Sequence, residues 1–293
     1  MPSIRELCES ASNRMTRQIG RRWGDAFPMY FLCEYPKSGG TWLGQMLADT
    51  LQVPFPKRPA APIAMPAMVH AHWKYDPKLS RTVYMVRDGR DVMVSLYFHF
   101  VRHVQMQSRK RDVALAKRLE RIFGRDADLN NTYDHLPAFL THIYQRPVGA
   151  RVNWTTHVRS WWGKPGVVQT RYEDLLADTT GEVRRVIESL TGEAAADWRV
   201  DLAVEKYSMR RQTGRAPGQE NRSSFIRKGV AGDWVNHFSR EAREIFAEQA
   251  GDVLIDLGYE SDDSWVEHSA TTDRNHQPIV RTIGRRDRIS AAS

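Results

Sequence analysis

The chain has 293 residues, of which 41% are hydrophobic, 10% aromatic and 27% charged, with a formal net charge of +8. That balance excludes a disordered or collagen-like chain and supplies enough apolar mass for an α/β domain with excursions. Two cysteines, Cys8 and Cys33, cannot build a disulfide framework, and no signal-type core or apolar window of about 18 residues occurs. A cytoplasmic protein without an integral membrane segment is therefore the expectation. The positive charge suits a polyanionic small molecule. Zinc spacings, RNA-binding aromatic pairs and basic heptads are lacking, so no nucleic-acid partner is expected.

Residues 1–27 read as a basic helical leader. The apolar run Met29–Cys33 fits a buried strand, with Cys33 as a structural thiol. Tyr35-Pro-Lys-Ser-Gly-Gly-Thr-Trp42 follows, and behind it Trp42, Leu43, Met46, Leu47, Thr50 and Leu51 recur at helical spacing. A strand, a glycine loop and a helix in this order aim backbone N–H groups and the positive end of the helix dipole at one spot, which suits an anion. Lys37 adds a cation there, and Ser38 and Thr41 add hydroxyl donors. The common nucleotide loop places its lysine after the glycines. Here Lys37 precedes Gly39 and Gly40, which removes the main support for a kinase.

Five prolines between Pro54 and Pro66 exclude regular helix or central strand. Met68–Trp73 reads as a short strand ending in His70-Ala-His72-Trp73, and Thr82–Val86 as a buried parallel strand. The latter runs into Arg87-Asp-Gly-Arg-Asp91 and a helix carrying Val92, Leu96, His99 and Phe100. Residues 102–146 are helical and strongly basic, with Arg102, Arg109, Lys110, Arg111, Lys117, Arg118, Arg121 and Arg125. Val167–Arg171 is a further strand, and Tyr172 begins a helical stretch to about Leu190. Ser239 caps a helix that turns Ile245, Phe246, Leu254 and Leu257 inward and stops at Gly258. Strands alternating with helices argue for a mainly parallel sheet flanked by helices on both faces. The expected division is a leader at 1–27, one domain at 28–260 with a basic excursion, and a tail at 261–293.

Several segments, in order between Met29 and Tyr259, resemble the cytosolic-type sulfotransferases that use 3′-phosphoadenosine 5′-phosphosulfate, with a bacterial member expected. The loop Tyr35–Trp42 is similar to their 5′-phosphosulfate loop. Arg87 with Ser95 resembles their 3′-phosphate motif, and Arg227-Lys-Gly-Val-Ala-Gly-Asp-Trp-Val-Asn-His-Phe238 their C-terminal signature. Trp154–Trp162 and Thr170–Leu175 match two further segments. The resemblance implies a P-loop-like three-layer α/β fold and sulfuryl transfer to an acceptor hydroxyl. It assigns Lys37, Ser38, Gly39, Gly40 and Thr41 to the phosphosulfate. Arg87, Ser95, Arg227, Lys228 and Gly229 fall to the 3′-phosphate, and Trp42 and Tyr172 to the adenine. The family base is the histidine of a Lys-Thr-His segment. His70-Ala-His72 stands there, so His72 aligns with the base, His70 replaces the lysine and is the alternative base, and Lys37 faces the leaving oxygen. His99, His103 and His157 are treated as bystanders. No metal is expected.

Gly40 departs from the family, which usually has a threonine at that place. The usual dimer segment is also poorly matched: of Val235, Ser239-Arg240 and Glu244, only Glu244 agrees. A homodimer remains open, but not by that contact. A small phenol, alcohol or natural product is favoured as acceptor. A glycan or lipid sulfotransferase is one alternative, and a non-catalytic anion-binding module of the same fold another.

Overall fold

The computed structural model describes residues 4–57, 59–106 and 110–267, the side chains of 110–112 excepted. Arg109 and the greater part of the expected tail, 268–293, lie outside the described residues.

Strands β1 (Met29–Glu34), β2 (Ala67–Ala71), β3 (Thr82–Val86) and β4 (Val167–Arg171) form a parallel sheet in the order β2-β1-β3-β4. Parallel strands need crossovers, and these supply helices to both faces. Alternation along β1 sends Leu32 one way and Phe31 and Cys33 the other. Leu32, Met68, Val83 and Met85 meet α2 (Gly40–Thr50), α7 (Tyr172–Ala177), α8 (Thr179–Thr191) and α9 (Asp197–Lys206). Cys33, Tyr84 and Val86 join the larger core built on α3 (Gly89–Met106), α4 (Lys110–Phe123), α5 (Thr132–Gln145), α6 (Trp154–Trp161) and α11 (Arg240–Asp256). Burial pushes the Cys33 thiol up to about 12, as befits a structural residue. A short helix α10 (Met209–Thr213) follows α9.

The expected leader is helix α1 (Ile4–Trp23), and it packs on the domain. Ser12 Oγ donates to the Ala61 carbonyl at 2.6 Å, Thr16 Oγ1 accepts from the Ile63 N–H at 2.9 Å, and Arg17 pairs with Asp76 at 3.1 Å. These contacts also tether the proline-rich loop. At the other end, the cap predicted for Ser239 is made, its hydroxyl accepting from the Ala242 N–H. Within the stretch read as tail from Ser261, Asp263–Val266 form a 3-10 turn and Trp265 is buried against Trp234. One tryptophan in a short polar run carries no periodicity, which is why the sequence did not show it.

Candidate active site

The carboxyl ends of β1, β2 and β3 open on one cleft of about 1750 Å³. Lys37, Gly39, Thr41, Trp42, Arg87 and Ser95 line it, as do His70, His72, Tyr172, Arg227, Lys228 and Gly229. The structure thus brings together the residues singled out in the sequence. Gly40 and Ser38 sit in the loop wall between them, both buried.

The loop after β1 is tight. Lys37 has φ 78° and Gly39 φ 103°, and the Ser38 N–H bonds back to the Tyr35 carbonyl at 3.2 Å. A Cβ on Gly39 would lie 2.6 Å from the Tyr172 ring, so conformation and space both require glycine. The helix behind it, α2, has no side-chain cap at its N-terminus. The buried Ser38 hydroxyl has no hydrogen-bond partner, a donor suited to an anionic oxygen.

Electrostatics point the same way. Burial and the neighbouring Arg102, Arg87 and Arg227 push Lys37 down to about 8, opposed by Glu34. Phe225 lies over its ammonium at 4.4 Å, with Arg102 5.7 Å from the same ring. Like charges crowded in a recess favour an anion that relieves them. Arg87 is held by the carbonyl of Val230 at 3.0 Å and by Asp91 at 3.6 Å, lies 4.2 Å from the Tyr172 ring, and leaves a buried Nε without partner. Asp91 also accepts from the N–H groups of Gly232 and Trp234, at 2.7 and 2.9 Å. That clasp sets the Arg227–Gly229 segment beside Arg87. Arg215 steadies the same segment through the carbonyls of Gln219, Ile226 and Arg227.

Two assignments carry an extra feature. Arg227 already pairs with Glu220 and Asp233, and Lys228 with Asp233 at 2.5 Å. Burial would raise the Asp233 carboxyl, yet hydrogen bonds from His237, Lys228 and Arg227 hold it far below the usual range. These cations therefore share their charge with a fixed carboxylate. Trp42 and Tyr172 meet edge to face, with centroids 6.1 Å apart.

Glu34, at the end of β1, was not among the residues expected. Its Oε1 lies 2.9 Å from His70 Nε2, and its Oε2 accepts from the Gly40 N–H at 2.5 Å. Burial opposes ionisation, but His70, His72 and the Gly40 N–H hold the Glu34 carboxyl below its ordinary value. His72 Nδ1 lies 3.0 Å from the Glu34 carbonyl, so it carries the proton and donates. Burial, with His70 alongside, keeps His72 below the ordinary imidazole value. It is therefore neutral near pH 7, with a free lone pair on Nε2. Parallel pairing explains the meeting: Leu32 is in register with His70 and Cys33 with Ala71, which brings Glu34 and His72 alongside at the strand ends.

The potential ligand atoms of Glu34, His70 and His72 all lie within 4.8 Å of one another, a donor set that could take a divalent cation. Hydrogen bonds among these groups and to Gly40 already satisfy the carboxylate. His157 is buried against Tyr84 and Tyr35, and burial pushes it down to about 4. His99 borders the cleft, with its ring 4.4 Å from that of His103.

The family model described as "Sulfotransferase domain" matches residues 68–258, beginning after the Tyr35–Trp42 loop. Sulfotransferase 1E1 of Bos taurus is 25% identical over 260 residues, covering 72% of this chain and 78% of its own length. Sulfotransferase 1C2 of Homo sapiens is 25% identical over 266 residues, covering 74% and 80%. Among solved structures, mouse sulfotransferase SULT7A1 complexed with PAP superposes with a TM-score of 0.51 at 19% identity, covering 81% of this chain and 91% of that one. Retinol dehydratase in a complex with retinol and PAP gives 0.53 at 17% identity, covering 77% and 81%. These two likenesses support the α/β fold.

Proposed function

The chain belongs to the sulfotransferase domain family, and from that premise we propose that it transfers the sulfuryl group of 3′-phosphoadenosine 5′-phosphosulfate to an acceptor hydroxyl. One observation carries this reading. Lys37, Arg87 and Arg227 gather their charges in the one cleft that His72 also lines, and the buried Ser38 hydroxyl beside Lys37 has no partner. A donor with anionic groups at both ends of its ribose matches that spread of cations.

In this reading Lys37, Ser38, Thr41 and the start of α2 hold the phosphosulfate, with Lys37 compensating charge on the departing oxygen. Arg87 and Arg227, helped by Ser95, Lys228 and Gly229, take the 3′-phosphate, and Trp42 and Tyr172 border the adenine. His72 acts as general base: its Nδ1–H is committed to the Glu34 carbonyl, so Nε2 accepts the acceptor's proton. The acceptor hydroxyl forms the new S–O bond as the bond to the phosphate oxygen breaks in line. Neither step needs a metal.

Phe55, Trp73, Phe100, Leu115, Val148 and Phe225 on the remaining walls favour a small apolar phenol, alcohol or natural product as acceptor. No described helix is long and apolar enough to cross a membrane. A screen of phenols, alcohols and sugars with radiolabelled donor tests the reading. Labelled product with one equivalent of 3′-phosphoadenosine 5′-phosphate, at a rate unchanged by a chelator, supports it. A chelator-sensitive rate overturns the metal-free mechanism. Tight donor binding without transfer to any acceptor favours the anion-binding module instead.

A further inference from the structure

Two departures from the family pattern, Gly40 for threonine and His70 for lysine, are far apart in sequence but meet in space on one carboxylate. Glu34 bridges them, with Oε1 on the His70 ring and Oε2 on the first N–H of α2. The glycine is a steric consequence. A Cβ at residue 40 would lie 2.6 Å from the Glu34 carboxyl carbon, and 2.9 and 3.0 Å from its oxygens. Threonine there would need the space that Glu34 fills. The carboxylate is 3% exposed and cannot swing into solvent without breaking both contacts. On its other side, Phe55 stacks on the His70 ring with centroids 6.0 Å apart, fixing the imidazole in its plane.

Resting on the sulfuryl-transfer reading, we propose that Glu34 is a positioning residue for the reaction, acting with Gly40 and His70 as one exchangeable unit beside the sulfate end of the donor. Glu34 orients His70 toward the cleft by its carboxylate and His72 by its backbone carbonyl, so both imidazoles depend on the end of β1. It also sets a negative charge on the α2 N-terminus, where the donor's own anionic group must come. The charge tunes the site: it supports the Lys37 ammonium while opposing the donor directly. Lys37, His70, His72 and the Gly40 N–H face Glu34, and Cys33, Tyr84 and His157 also feel its charge, while Arg102, Arg87 and Arg227 stand near Lys37. A glutamine keeps the shape and can still accept from Gly40 and donate to His70, yet it lacks the charge.

The test uses the full chain and 3′-phosphoadenosine 5′-phosphate as titrant. Glu34→Gln should bind it about threefold to tenfold more tightly near pH 6, where Lys37 is protonated. The pH at which affinity begins to fall should move down, because Lys37 loses its supporting carboxylate. Turnover should drop at the same time, so affinity and rate move in opposite directions. Equal or weaker binding near pH 6 with an unmoved pH profile would make Glu34 a packing residue and overturn the proposal. Gly40→Thr gives a second arm. In the parent it should cost at least about tenfold in donor affinity, and in the Glu34→Ala background it should cost only a small part of that. An equal cost in the two backgrounds would refute the steric unit. Both arms read donor binding, so they stand apart from whether a given acceptor is turned over.

Discussion

Burial and three neighbouring arginines push the Lys37 ammonium down to about 8, so the free protein loses this charge as pH rises past that value. A bound phosphate restores the reason to be charged, and binding between pH 8 and the ordinary lysine range therefore takes up one proton. The sign follows: affinity for 3′-phosphoadenosine 5′-phosphate is greatest below about pH 8 and falls above it. From pH 7 to pH 9 the charged fraction of Lys37 drops about tenfold, which corresponds to about 1.4 kcal/mol of donor binding. Isothermal titration across this range, in buffers of differing ionisation enthalpy, reads both the affinity and the proton uptake. Lys37→Met should bind more weakly and show a flat profile over the same window. Constant affinity in the parent, or the same slope in Lys37→Met, would refute the electrostatic reasoning.

Other expectations address the remaining parts. His72→Ala should lower kcat by at least about a hundredfold while leaving donor binding within about twofold; a stronger kcat loss in His70→Ala would move the base to His70. Gly39→Ala must adopt φ 103° and place a methyl against Tyr172. It should destabilise by about 2–4 kcal/mol in denaturant unfolding, and a neutral result would mean that the loop relaxes. Glu173, whose carboxyl burial raises to about 7 despite hydrogen bonds from the Asp88 N–H and Tyr259 hydroxyl, binds its proton more tightly folded than unfolded. Stability should thus fall as pH rises from about 4.5 to 7, by roughly 3 kcal/mol from this group. Glu173→Gln should remove that part of the slope, and an unchanged slope would assign it elsewhere.

The fold was legible because its signals are local. Short apolar runs marked the strands, and Ser239 marked the start of the last long helix, where its hydroxyl accepts from the Ala242 N–H. The glycine loop was equally plain, since strand, loop and helix are contiguous. What the sequence concealed are contacts made across the fold. Glu34 meets His70 only because β1 and β2 pair in a register that no short-range pattern encodes. Phe225 reads as an exposed loop aromatic until it is found over Lys37, and Arg102 as one of many basic helix residues. The Arg87-Asp-Gly-Arg-Asp91 motif divides its labour in a way that spacing could not reveal. Arg87 borders the cleft, whereas Arg90 sits in the corner formed by Trp234 and Trp265, 3.8 and 4.7 Å from their rings, and pairs with Asp88 and Glu260. Gly40, where the family usually has a threonine, is the room that Glu34 requires.

The central claim is that one cleft reads both ends of the donor, and paired titrations test it most directly. At pH 7, 3′-phosphoadenosine 5′-phosphate should bind with one-to-one stoichiometry and at least about a hundredfold more tightly than adenosine 5′-monophosphate, and Arg87→Ala should erase most of that difference. Equal affinity for the two nucleotides would contradict the account, because the cations gathered at Arg87 and Arg227 would then have no 3′-phosphate to bind.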